Sequence, residues 1–306
     1  MGGHVTTTTT GRVQIGDLPT VEEAFGRPES NEYSSLKKYA KNLNNAAISG
    51  DIDKGVGREL ELEQLVTILS KRKKANPVLV GEAGIGKSQI VYDLAHKLSD
   101  PKYTGPLAGK VIWEVSTTSL IAGCSFVGMS EERMQALLNE AINRPEVILF
   151  WDELHTIVGA GAGSKSNNDL GNIVKPALAG KHLSVIGATT EDEYNIIKED
   201  KALNRRFNKI DVKELTFTEL VEVMHGIKSD YERFHGILYN DSIEDIITTS
   251  TVHSEINQPD AAIDLMDTIG AMKKNHPDRW SKEGMNVNSI DVKEASKLLY
   301  SLKTDE

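Results

Sequence analysis

The stretch that decides the fold is GEAGIGKS, Gly81–Ser88. It fits the pattern G-x-x-x-x-G-K-[ST], and its flanks matter as much as its letters. The run before it, Pro77–Val80, is short and apolar and reads as a strand; the residues after it read as a helix. In that context Gly81, Gly84 and Gly86 let the backbone curl until its N–H groups point inward at phosphate oxygens. A helix starting near Lys87 brings the positive end of its dipole to the same place. Lys87 supplies a compact cation for β- and γ-phosphates, and Ser88 offers a hydroxyl to Mg2+.

Outward from the loop, short apolar runs alternate with amphipathic stretches. Val111–Val115, Val147–Trp151, Leu183–Gly187 and Ile210–Val212 read as strands. Glu131–Ile142 and Asp169–Leu178 read as helices. Fully apolar strands suit a parallel sheet covered on both faces, so the fold class is α/β. Before the loop, Leu36, Tyr39, Ala40 and Leu43 share one face of a predicted helix that Gly50 ends, and a second helix runs from about Arg58. After about Glu214 the strands nearly stop, and a long helical stripe begins at Phe217. The expected organisation is a flexible polar arm at 1–34, an α/β domain at 35–213 and a small, mostly helical domain at 214–306.

Composition narrows the function. The 306 residues carry a formal net charge of −10, which disfavours nucleic acid as a partner because phosphate binding needs a concentrated basic face. The basic cluster Lys71–Lys74 reads as a solvated face at a helix end. One cysteine, Cys124, excludes an intramolecular disulfide. The histidines show no metal-ligand spacing. No apolar run approaches the ~18 residues of a membrane span, and the leading MGGHVTTTTTGRV has no signal-like apolar core, so a cytoplasmic protein is expected.

A second motif, VILFWDE (Val147–Glu153), carries an acidic pair to the carboxyl end of a strand, where ligands of open α/β sheets sit. Asp152 is then expected beside Ser88, helping to hold Mg2+. Glu153 is the candidate for orienting or deprotonating an attacking water. IGATT, ending another strand, brings Thr189 or Thr190 near a γ-phosphate. Asn204–Phe207, NRRF, offers Arg205 and Arg206 to a neighbouring subunit's phosphate.

Together these motifs resemble the first ATPase module of the Clp-type AAA+ unfoldases and disaggregases. The match runs through LKKYAKNL, DKGVGRELEL, NPVLVGEAGIGKS, AGCSFVGMSEERM, VILFWDELHTIVGAG, GNIVKPALA, IGATTEDEY, ALNRRF, YERFH and PDAAIDLMD. The resemblance implies an AAA+ P-loop domain, its parallel sheet flanked by helices, followed by a helical lid. It implies ATP and Mg2+ as ligands, with Gly84, Ile85, Gly86, Lys87, Ser88 and Gln89 on the nucleotide. It makes Thr190 a sensor and Arg205 and Arg206 fingers acting in trans. It puts Val56 and Gly57 along adenine, with Val223, Ile227 and Pro259 closing from the lid. Phe126 and Val127 become a pore loop gripping polypeptide, and Gly159–Asp169 a second one.

The implied function is a ring, expected to be a hexamer, that unfolds or remodels protein through its pore. Self-association, a polypeptide substrate and a protein adaptor or second ATPase ring are the implied partners. An alternative is an assembly ATPase, switched by nucleotide and dedicated to one partner. The pore aromatic is Phe126 where the family usually has Tyr, and Ala261 stands where it usually has Lys. No amino-terminal substrate domain, coiled-coil middle domain or protease-docking tripeptide is evident, which favours a short single-module form.

Overall fold

The computed structural model describes residues 33–124, 128–158, 170–179, 183–275 and 286–300. In chain order its first elements are α1 (Ser34–Tyr39), β1 (Ala40–Asn42), α2 (Leu43–Ser49), α3 (Glu59–Leu69), β2 (Asn76–Val80), α4 (Lys87–Ser99), β3 (Val111–Val115) and α5 (Thr117–Ile121). Next come α6 (Met129–Ile142), β4 (Val147–Trp151), α7 (His155–Val158), α8 (Leu170–Ala179), β5 (Ser184–Thr189), α9 (Glu191–Glu199), α10 (Lys201–Asn204) and β6 (Phe207–Asp211). Among the described residues four helices follow: α11 (Phe217–His235), α12 (Ile243–His253), α13 (Asp260–Asn275) and α14 (Ser289–Leu299).

The sheet order is β1-β3-β4-β5-β2-β6, antiparallel only between β1 and β3. Every residue of β2 and β4 is buried. The two-residue period of a strand sends Val78, Val80, Leu149 and Trp151 to one apolar cluster, with Met134, Leu138 and Val174 from α6 and α8. It sends Leu79, Ile148, Phe150 and Ile186 to the other, with Leu65, Ile90 and Leu94 from α3 and α4. Each such side chain contributes roughly 1.5–3 kcal/mol of burial, so both faces are strongly specified. The doubly covered parallel sheet is the expected one.

The amino-terminal helix is not. The predicted single helix through Leu36, Tyr39, Ala40 and Leu43 is broken. Ala40 is extended, and residues 40–42 pair with β3 in the register Ala40↔Val115 to Asn42↔Trp113. Asn42 then caps α2, its side chain accepting from Asn45 N at 2.9 Å. Leu36 and Leu43 are both fully buried, but in clusters on opposite faces of the sheet. The three-residue strand carries the chain round the sheet edge, and edge pairing outweighs helical continuity. Tyr33, within the stretch expected as the arm, stacks on Trp113 with ring centroids 5.3 Å apart.

Helix α3 ends at Leu69, so Lys71–Lys74 lie past it rather than in its last turn, and Lys71 Nζ donates to Asn208 Oδ1. The carboxy-terminal helices build a third core from Leu220, Met224, Ile246, Leu265, Met266 and Val292. Among the described residues no helix is long and apolar enough to cross a membrane.

Candidate nucleotide site

The sheet order leaves β2 between β5 and β6, while the chain leaving β2 crosses to β3. Ligands of open α/β sheets sit at such a switch, beyond the carboxyl ends of the strands. A cleft of about 840 Å3 lies there, large enough for a nucleotide. Residues 83–89, Asp152 and Glu153 line it, and Val223, Ile227 and Pro259 close it from the helical side.

The phosphate loop is built as its glycines predict. Gly84 and Gly86 have φ of +77° and +93°, a region open chiefly to glycine, and Gly86 caps α4. The thirteen-residue α4 therefore aims its amino terminus into the cleft. The loop is braced from behind by Arg58, which is buried. Its guanidinium donates to Ile85 O at 2.6 Å and to Lys213 O at 2.8 Å, and pairs with Glu61 at 3.1 Å. From the lid, Asn257 Nδ2 donates to Ala83 O at 3.1 Å. Arg58 sits in the stretch DKGVGRELEL, yet its role is not legible there, because its partners are carbonyls remote in sequence.

Lys87 is folded back on its own loop, donating to Gly81 O at 2.8 Å and Glu82 O at 2.7 Å. Burial lowers its pKa, against the attraction of Asp152, Glu82 and Glu193. Ser88 Oγ donates to Asp152 Oδ2 at 2.7 Å, so the two expected Mg2+ oxygens adjoin. A hydroxyl and a carboxylate oxygen side by side fit a hard cation that takes one or two protein oxygens and completes its shell with phosphates and water. Among the described residues no group of three or more His, Cys, Asp or Glu could hold a metal, and a site of that kind needs none.

Glu153 has φ +52°, a left-handed conformation that costs a non-glycine residue about 1–2 kcal/mol. Its N–H donates to Asp152 Oδ1 at 3.0 Å, and its side chain is exposed at the cleft. Backbone strain held in this way gathers at functional positions.

Both threonines at the end of β5 line the cleft. Thr189 is buried and donates to Glu193 Oε2 at 3.1 Å. Thr190 caps α9, its hydroxyl accepting from Glu193 N in a capping box. His155 Nδ1 lies 2.9 Å from Glu193 Oε2 and 3.2 Å from Thr189 Oγ1. Burial pushes the Glu193 pKa up, but hydrogen bonds from Thr190 and Thr189 outweigh it and hold the carboxyl below its ordinary range. Glu193 is thus part of the wall, with His155 paired to it, which sequence motifs did not reveal.

Tyr92 also lines the cleft and donates to Glu114 Oε1 at 3.3 Å. Burial and the neighbouring Glu114 push Tyr92 up to about 12, so it stays a neutral donor.

Val56 lines the cleft, whereas Gly57, with φ +86°, is not part of its lining. Arg205 and Arg206 lie outside the cleft lining, exposed where α10 meets β6. The expected pore-loop residues Phe126 and Val127, the segment 159–169 and the arm 1–32 fall outside the described residues.

Comparison with known proteins agrees with this geometry. Residues 77–215 match the ATPase family associated with various cellular activities (AAA), and residues 216–303 match the AAA lid domain. The chain belongs to the AAA ATPases. The ATP-binding subunit ClpE of the ATP-dependent Clp protease of Streptococcus pneumoniae is 41% identical over 87% of this chain and 34% of that protein. The chaperone protein ClpB of Aquifex aeolicus is 42% identical over 79% and 24%. Hsp104 in its closed state with ATPγS and FITC casein matches with a TM-score of 0.78 at 34% identity, covering 89% of this chain and 47% of that one. The extended Hsp104–casein complex of S. cerevisiae matches at 0.74 and 33%, with the same coverage. This AAA module therefore spans under half the length of these relatives. Nucleotide binding and ATP hydrolysis come with the family.

Proposed function

We propose that this AAA module hydrolyses ATP with Mg2+ at the cleft and, within a ring of its copies, uses that cycle to pull polypeptide through a central pore. The observation that carries the catalytic part is the Ser88–Asp152 contact at 2.7 Å with the strained Glu153 next in the chain. It joins the phosphate loop to the acidic strand end as hydrolysis requires.

In this reading Lys87 leaves the carbonyls of Gly81 and Glu82 and takes the β- and γ-phosphates. Ser88 and Asp152 hold Mg2+, which neutralises charge on the phosphate oxygens. Glu153 orients water and accepts its proton. Thr190 reads the γ-phosphate, with Thr189 fixed behind it. Val56, Val223, Ile227 and Pro259 form the base end, with Gly57 next to Val56 in the chain. Arg205 and Arg206, which are exposed and do not line their own cleft, complete a neighbour's site. The ring places that site at a head-to-tail interface that closes on itself. The casein in the Hsp104 complexes supports a polypeptide substrate; the family resemblance assigns its grip to Phe126 and Val127.

The test is steady-state hydrolysis at high protein concentration, with and without an unstructured polypeptide. Stimulation is the expected result. Turnover indifferent to polypeptide would move the assignment to an assembly ATPase with one dedicated partner.

Lys87 adds a check on the binding step. Burial holds its pKa below 10.5 in the free chain, and a bound polyphosphate raises it. Between those two values the complex binds more protons than the free chain, so binding takes up protons. Affinity is then full below the free-state pKa and falls as pH rises through the window. Calorimetric titration in buffers of different ionisation heat measures this. A buffer-independent enthalpy at alkaline pH would remove Lys87 from the role.

A further inference from the structure

Three polar side chains form a row along α4. Gln89, Asp93 and His96 are spaced four and three apart, so they share a helical face. Each holds a different point of the segment 52–55. Gln89 Nε2 donates to Asp53 O at 2.9 Å. Gly55 N–H donates to Asp93 Oδ1 at 2.6 Å, and Gln89 Nε2 donates to the same oxygen at 3.1 Å. His96 Nε2 lies 3.0 Å from Ile52 O, which requires the proton on Nε2.

The fit leaves no room for a side chain. A Cβ on Gly55 would stand 2.6 Å from Gln89 Cγ and 2.8 Å from Asp93 Oδ2. The far side of the segment is as close to the lid helix α11. A Cβ on Gly57 would meet Val223 Cγ2 at 2.7 Å, and one on Gly226 would meet Val56 Cγ2 at 2.6 Å. Residues 53–57 are therefore clamped between α4 and α11, and Asp53, Lys54, Gly55 and Val56 all line the cleft. The phosphate loop marks one end of that cleft. Val56, Val223 and Ile227 supply the apolar surface that a flat, largely apolar base needs.

Burial pushes the Asp93 pKa up, while the hydrogen bonds from Gly55 and Gln89 and the charges of His96 and Lys54 favour its ionised form. Its grip on Gly55 N–H has the character of a charge-assisted hydrogen bond.

We propose that Gln89, Asp93 and His96 are positioning residues that set the base-facing wall of the cleft. Base affinity in this chain is then governed from the same helix that receives the phosphates. The inference rests on the nucleotide reading of the cleft.

The experiment compares the affinity of the full chain for ADP and for inorganic triphosphate, which lacks a base. Asp93→Ala is expected to weaken ADP by about 10- to 100-fold, the worth of a hydrogen bond to a charged group, and to leave triphosphate unchanged. Asp93→Asn keeps an acceptor for Gly55 N–H and should recover most of the ADP affinity. Gly55→Ala displaces the wall without altering α4, and should reproduce the Asp93→Ala pattern. Thermal unfolding midpoints establish that each variant is folded. Equal weakening of both ligands, or unchanged ADP affinity in both Asp93→Ala and Gly55→Ala, would overturn the proposal. Wild-type chain that binds triphosphate but not ADP would overturn it together with the nucleotide reading.

Discussion

Glutamine in place of Glu153 is expected to slow ATP turnover by about 10²–10⁴-fold, the span general-base catalysis contributes, and to leave nucleotide binding intact. The reason is geometric. Strand β4 ends at Trp151, fully buried, so the chain must emerge at the sheet's carboxyl edge. Asp152 then turns back to Ser88, and the positive φ of Glu153 exposes the next side chain at the cleft. Gln keeps the size and the hydrogen-bonding reach of Glu but cannot accept the proton of a water. Phosphate release and equilibrium nucleotide binding, measured on the same preparation, check both halves. Turnover within a few-fold of wild type would take Glu153 out of the base role.

Arg205→Ala should cost about 10³–10⁵-fold in turnover, as loss of an arginine acting on a transferring phosphoryl does elsewhere. Affinity for nucleotide should change little. Arg205 closes the four-residue α10, whose start is held by Asp200 accepting from Ala202 N and Leu203 N. Leu203 is buried beneath it, and Arg206 N–H donates to Leu203 O at 2.7 Å. The turn is held by these bonds, yet both guanidinium-bearing side chains are exposed and outside the lining of their own cleft. A large effect from such a position requires a second copy. Mixing decides the point. Chains carrying Glu153→Gln keep their arginines, so adding them to Arg205→Ala chains should restore turnover at the clefts of the latter. A mixture as inactive as its parts would sink the trans arrangement.

Much of this protein was legible along the chain. Each apolar run that became a buried parallel strand announces itself locally, because a strand covered on both faces has no polar side to show. The GEAGIGKS loop is likewise a local object: glycines at fixed spacing, a strand before and a helix after. VILFWDE joined it because both motifs end strands of one sheet, and ligands collect at that edge. The Ser88–Asp152 contact was the natural outcome.

Other features depended on which groups packing brings together. Leu36 and Leu43 lie on one stripe of an imagined helix, yet the edge of β3 draws residues 40–42 into an extended strand and separates the two leucines by the thickness of the sheet. Arg58 finds the carbonyls of Ile85 and Lys213, and carbonyls carry no signature in a sequence. The row of Gln89, Asp93 and His96 looks like an ordinary solvated face until the segment 52–55 is laid against it. Periodicity reports how a segment relates to its own axis, and that suffices for strands, helices and a phosphate loop. Which polar atom meets which is settled by long-range packing, where a hydrogen bond forms or fails over a few tenths of an ångström, and only the folded chain specifies that.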